Sequence, residues 1–126
     1  MAERRARLGR LHHLAPGAAA TDVASLTSGL VALHATDAAA VYLAARARCD
    51  GLVPSDVERA LYDDRTLVRL LGMRRTMFVV PADVVPVVHA ACTRSIATRE
   101  RRRLVGQIEG AGIAADGDAW LAAVEG

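Results

Sequence analysis

The sequence predicts a mainly α chain with a small β-hairpin, laid out as a winged helix-turn-helix followed by a long helix. Three observations point there. Apolar residues recur at helical spacing through most of the 126 residues. Alanine, the residue with the best intrinsic helix propensity, occurs 26 times. One stretch alone, Met73-Arg-Arg-Thr-Met-Phe-Val-Val80, is dense in β-formers and bounded by Gly72 and Pro81. The length suits one domain or an incomplete part of a larger protein. With one Trp, two Tyr and one Phe, its core has to be aliphatic.

From Arg4 to Leu14, the residues Leu8, Leu11 and Leu14 step by threes beside Arg4, Arg5, Arg7 and Arg10. This is a short helix with one greasy edge and one basic edge, broken by Pro16-Gly17. Thr21 or Asp22 caps a second helix whose inner stripe is Val23, Leu26, Leu30 and Leu33. Asp37 caps a third, running through Arg48, with Val41, Ala44, Ala45 and Arg48 on one side and Gly51 at its stop. After Pro54, Ser55-Asp-Val-Glu58 has capping-box spacing and opens a fourth helix to about Tyr62. Leu67-Val-Arg-Leu-Leu71 fits a helix turn or a strand, while Met73–Val80 reads as strand.

Helix returns at Ala82, with Val85, Val88, Cys92 and Ile96 inward and Leu104 and Ile108 extending it to Gly110-Ala-Gly112. Pro86 falls in its first turn, where the backbone donors are free anyway. A last helix starts near Asp118 and carries Trp120, Leu121 and Val124. Two turns cannot bury a Trp alone, so either this helix folds back or the chain continues. Residues 1–81 therefore form the winged-helix unit, and residues 82–126 are connecting helices that lead to further domains beyond this sequence.

All sixteen basic residues are Arg, a bias that GC-rich coding alone would produce. Their placement is more telling. Residues 1–106 hold all sixteen against ten acids, a net +6, whereas residues 107–126 carry Glu109, Asp116, Asp118 and Glu125 and no Arg, a net −4. The body of the chain can face a polyanion and its C-terminal end cannot. Candidate DNA contacts are Arg65, Arg69, Arg74 and Arg75 around the hairpin, with Arg94, Arg99 and Arg102 on the long helix beside Arg101 and Arg103. The competing reading is a solvated helix face ion-paired to Glu100.

Double-stranded DNA is the expected partner, because so few aromatics leave few stacking platforms for single strands. No apolar run approaches the roughly 20 residues of a membrane span. A cytoplasmic, nucleoid-associated monomer is expected, with its last helix against the C-terminal domains. Cys49 and Cys92 read as buried free thiols, and His89 as a core or boundary histidine. His12 and His13 adjoin on a helix and face different ways. There is no zinc-type spacing and no phosphate-cradling glycine loop, so neither metal nor cofactor is expected.

Leu30-Val-Ala-Leu-His-Ala-Thr-Asp37, Tyr42-Leu-Ala-Ala-Arg-Ala-Arg48, Asp56-Val-Glu-Arg-Ala-Leu-Tyr62, Arg65-Thr-Leu-Val-Arg69 and Met73–Pro81 resemble, in order and spacing, the bacterial winged-helix DNA glycosylases of the AlkZ/YcaQ type. The resemblance covers about residues 4–110. It implies a row of tandem winged-helix domains longer than this chain, of which this would be the first, and an activity that excises alkylated bases. It also implies a Gln-x-Gln or Gln-x-Asp motif that positions and activates a water. By position that motif falls on His34, Ala35 and Thr36, so the sequence departs from it.

The resemblance makes His34, Thr36 and Asp37 the candidate catalytic residues. Histidine as a side-chain type titrates near neutrality and can orient a water or accept its proton. Thr36 has a hydroxyl to hold the water, and Asp37 has a carboxylate. Two of them also have a structural reading: His34 as a helix-end histidine bonded to a backbone carbonyl, and Asp37 as a helix cap. Three functions stay open, namely a base-excising enzyme, a non-catalytic DNA-binding module or regulator, and a helical interaction domain. The 126 residues alone are expected to be inactive, since one small domain is too little to clamp both duplex and lesion.

Overall fold

The computed structural model describes residues 1–125; Gly126, the last residue of the predicted connecting segment, lies outside the described residues. Helix α1 spans Ala2–Leu11 and α2 Val23–Leu30, then strand β1 at Leu33–His34 leads into α3, Ala38–Arg46. Helix α4, Pro54–Glu58, continues as one wider, π-type turn over Arg59–Asp63. Strands β2, Leu67–Leu71, and β3, Met77–Pro81, form the hairpin. Next comes an almost unbroken helical run: a 3-10 turn at Ala82–Val84, α5 at Val85–Val88, a π-type turn at His89–Thr93, and α6 at Arg94–Gly110. Helix α7 spans Gly117–Glu125.

The strands make one antiparallel sheet in the order β1-β3-β2. The predicted hairpin is therefore the larger part of a three-stranded sheet. Three helices, a small antiparallel sheet and a long following helix are the layout of a winged helix-turn-helix plus connecting helix. The core lies between α2, α3, α4 and the sheet, where Leu26, Ala35, Ala45, Val57, Leu67 and Val79 are almost wholly buried. Removing such aliphatic surface from water, at roughly 25 cal/mol per Å², is the main force holding the unit together. Thr27 is buried among them and donates its hydroxyl proton to the Val23 carbonyl at 2.7 Å, so no polar group is stranded there.

Local chemistry explains the helix starts. Asp22 accepts the Ser25 N–H at 2.7 Å, and the Asp22 N–H in turn donates to the Ser25 hydroxyl, a reciprocal box that opens α2. The Ser25 amide holds the Asp22 carboxyl below the ordinary aspartate range, against the opposing effect of desolvation. Asp37 caps α3 by accepting the Ala39 N–H at 2.9 Å.

Several sequence expectations change. Leu33 is buried but belongs to β1, because α2 ends at Leu30 and Val31 turns at φ 71°. The fourth helix opens earlier than Ser55: Pro54 takes its first position and Asp56 accepts the Val53 N–H at 3.0 Å. The ambiguous run Leu67–Leu71 is strand, its register fixed by pairing with β3. Met73–Arg75 is the turn between strands and not part of one. His89 is exposed and Cys92 only half-buried, whereas Cys49 is buried as expected. Helix α1 forms, but Leu8, Leu11 and Leu14 remain exposed.

Helix α7 folds back along α6. Arg101 of α6 donates to Asp118 at 2.8 Å and to Glu125 at 2.9 Å. Gly117 lets the two helices meet, since a Cβ there would stand 2.9 Å from the Val105 carbonyl oxygen. Leu121 is buried in that seam while Trp120 stays 41% exposed, so folding back covers the leucine and leaves the indole in contact with water.

Candidate nucleic-acid interface and water-positioning loop

The hairpin tip is built on an uncommon backbone. Arg74 and Arg75 have φ of 56° and 60°, and the Thr76 N–H closes the turn on the Met73 carbonyl at 3.1 Å. Positive φ at both central residues is the signature of a type I′ turn, which ordinarily takes Asn-Gly. Two arginines in that conformation carry strain of about 1 kcal/mol or more each, and strain of this kind concentrates at functional sites. Both arginines are exposed, Arg74 bordering a depression beside His34 and Arg75 reaching the long helix.

The long helix lies alongside. Thr93 donates its hydroxyl proton to the Leu71 carbonyl at 2.6 Å, which fastens the start of the helix to the end of β2. Farther along, Arg75 pairs with Glu100, whose other oxygen lies 3.9 Å from Arg103. At 100° per residue, Arg99, Arg102 and Arg103 fall on one stripe of α6. Arg94 points toward α7 instead, bordering a depression with Leu121 and Glu125. Arg65 sits before β2, at the far end of the hairpin from Arg74 and Arg75, about 17 Å of strand away. Arg69 donates through Nε and one terminal nitrogen to the Ala35 carbonyl, at 3.1 and 2.9 Å. Thus the contacts to the hairpin tip run from Arg75 through Glu100 to Arg103. Arg102 borders a depression with Arg101 and Asp118 toward α7, Arg69 is engaged at the Ala35 carbonyl, and Arg65 and Arg94 lie apart from the tip.

The helix-turn-helix is acidic. In the helix-turn-helix, α3 is followed by the segment 54–64, the place of the groove-reading helix. That segment carries Asp56, Glu58, Asp63 and Asp64 against Arg59 alone. Even Arg59 lies 3.8 Å from Asp56. Beside it, a cleft of about 470 Å³ is bordered by Asp22, Asp50, Asp56 and Asp64.

His34, Thr36 and Asp37 come together at the loop leaving β1. His34 pairs in register with Phe78, and their rings meet edge-on with centroids 5.5 Å apart. Thr36 Oγ1 accepts the Met77 N–H at 3.2 Å and lies 3.3 Å from His34 Nε2. The Ala35 N–H donates to the Met77 carbonyl at 2.8 Å, while Arg69 grips the Ala35 carbonyl from across the sheet. The loop is therefore held at four points. His34 opens onto a shallow depression of about 280 Å³ that it shares with Met73, Arg74, Thr76 and Phe78. Asp37 keeps its capping bond.

Sequence reasoning missed Phe78 and Gly72 as parts of this site. Gly72 is buried because Phe78 lies over it: a Cβ there would stand 2.9 Å from the Phe78 ring. A glycine just ahead of the tip, facing a strand that carries the chain's single Phe, was the available signal.

The fold and this loop define a winged-helix chain with a polar loop braced beside a cationic hairpin. A family model of DNA glycosylase AlkZ-like proteins matches residues 27–126, and the chain belongs to the AlkZ-like DNA glycosylase family. Membership links it to DNA and to DNA repair. Helix α1 and the first half of α2 precede the matched region. No curated protein and no solved structure matches. No helix of the described residues is long and apolar enough to cross a membrane.

Proposed function

We propose that this chain is the duplex-binding winged helix of a glycosylase that excises alkylated bases, and that it holds DNA through the hairpin tip and α6. Residues 1–81 supply the DNA-binding unit, and residues 82–126 connect it onward. The observation that carries this reading is the link from the Arg74–Arg75 tip through Glu100 to Arg103 of α6, in a chain whose helix-turn-helix segment 54–64 is acidic. Duplex DNA is a dense line of negative charge, so a helix of net negative charge cannot enter its groove cheaply. The wing side is the face that suits phosphates.

His34 acts on the water in this scheme. Thr36 Oγ1 accepts from the Met77 N–H and lies 3.3 Å from His34 Nε2, and the scheme assigns the His34 proton to Nε2, from which Thr36 then accepts with its second lone pair. That tautomer leaves His34 Nδ1 unprotonated and free to accept a proton from a water in the shared depression. Phe78 sets the plane of the ring, Arg69 fixes the loop through Ala35, and Asp37 positions α3 as its cap. Arg74, which borders the same depression, steadies a phosphate flanking the reacting nucleotide.

The same bonds favour a second reading. With Thr36 and Asp37 both engaged by the backbone, the loop also suits a non-catalytic duplex-binding module. Two measurements separate the readings. Binding of duplex DNA should weaken with salt by about 0.9 log unit per log unit for each phosphate neutralised, and a flat response overturns both. In the native polypeptide, His34→Ala should slow release of 7-methylguanine from alkylated DNA by about 100-fold or more, the usual effect of losing a general base. An unaltered rate removes His34 from the chemistry, and no release by the unmodified protein favours the module.

A further inference from the structure

We propose that the junction between the hairpin tip and α6 is a backbone-phosphate seat, and that the Glu100 carboxylate occupies it in the free chain. The inference rests on the duplex-binding reading above. Glu100 is the one acid on α6 within reach of the wing. One of its oxygens pairs with Arg75 and the other faces Arg103, so a single anion bridges the hairpin and the helix. A phosphodiester offers the same pair of charged oxygens and is read by guanidinium groups in the same manner.

The seat is open: the side chains of Arg75, Glu100 and Arg103 are 55%, 39% and 64% exposed, so an incoming phosphate can reach the guanidiniums without unfolding anything. Arg74 stands next to Arg75 and pairs with no acid among the described residues. Exposed ion pairs of this kind are weak, which is what an exchangeable contact requires.

Binding is then an exchange. Phosphate oxygens take the place of the carboxylate at Arg75 and Arg103, and Glu100 swings into solvent. Glu100 thereby limits the affinity of the wing for any polyanion and keeps its arginines preset in the orientation they use on DNA.

The test is a double-mutant cycle on duplex binding, read by fluorescence anisotropy at low and moderate salt. Glu100→Gln keeps the shape and removes the charge, and should tighten binding about two- to fivefold, the range of an exposed pair. Arg75→Ala should weaken it. In the Arg75→Ala background, Glu100→Gln should gain clearly less than it does alone. Unchanged or weaker binding by Glu100→Gln overturns the inference. So does strict additivity of the two changes, which would mean that Glu100 merely repels DNA at a distance. If the unmodified chain shows no salt-dependent duplex binding, the functional reading falls and this inference falls with it; if it binds and the cycle fails, only the inference falls. Circular dichroism of each variant checks that the helical fold is retained.

Discussion

The two edges of the winged helix carry opposite charge on equally well-formed scaffolds. On one, α3 and the segment 54–64 pack Val41, Ala45, Val57 and Ala60 into the core while presenting Glu58, Asp63 and Asp64 to water. On the other, the hairpin strains its backbone at Arg74 and Arg75, and Arg75 meets Glu100 of α6, which Arg103 also faces. Under the proposed function, this contrast makes the helix-turn-helix a support: its inner face holds the sheet in place, and the polyanion-facing role falls to the wing and the helix that follows it.

The largest effect should come from the wing. Replacing Arg74 and Arg75 together by Ala removes two charge-assisted hydrogen-bonding groups, each worth about 1.5–3 kcal/mol, so duplex affinity should fall by well over tenfold. The salt slope should become shallower by about 0.9 for each phosphate that is no longer neutralised. If Arg59→Ala on the acidic side does greater damage, the assignment of the two edges is reversed.

Next in size is a change that improves the fold at the expense of binding. Arg74→Asn with Arg75→Gly suits the left-handed turn and should raise stability by about 1–2 kcal/mol, seen as a higher Tm, while duplex binding drops. A Tm that fails to rise would mean that the tip is unstrained.

The supporting edge can be probed through its cap. Asp22→Ala should cost about 1 kcal/mol in urea unfolding. Because the Ser25 amide lowers the carboxyl's folded pKa, this contribution is present above the ordinary aspartate value and is lost as the pH falls through the depressed folded value. The penalty of Asp22→Ala should therefore shrink in acid, below about pH 4. Smallest of all, Glu58→Gln with Asp63→Asn should alter duplex binding less than about threefold, since those exposed side chains belong to α4 and the turn after it and not to the wing. A large gain would show that DNA passes close to the helix-turn-helix after all.

The legible parts of this fold were those written in neighbouring residues. Asp22 and Asp37 announced their helices because capping bonds span two or three positions. The aliphatic stripe of α2 announced its inner face. Pairing across the chain was not legible: β1 is two residues long, and Leu33 looked like a fourth member of a helical stripe until Val79 claimed it. The arginine tip read as strand, because composition reports β-forming residues and says nothing of a left-handed φ. The candidate loop at His34–Asp37 was found through its resemblance to a family, whereas its bracing by Phe78 and Arg69 joins residues far apart in the chain. Glu100 was visible only as an ion-pairing neighbour. Its bridge to Arg75 needs the hairpin and α6 laid side by side.

The π-type turn at His89–Thr93 holds one residue more than a regular helical turn would. That surplus acts as a phase setting for everything downstream. Deleting a single residue there would rotate the remainder of the helix by about 100° against the hairpin, with no change to any charged side chain. Glu100 would swing off the wing and Arg101 would lose its angle toward α7. Insertions and deletions in this short span are thus far more consequential than substitutions, and any homologue of altered length there would carry its arginines on a differently aimed surface.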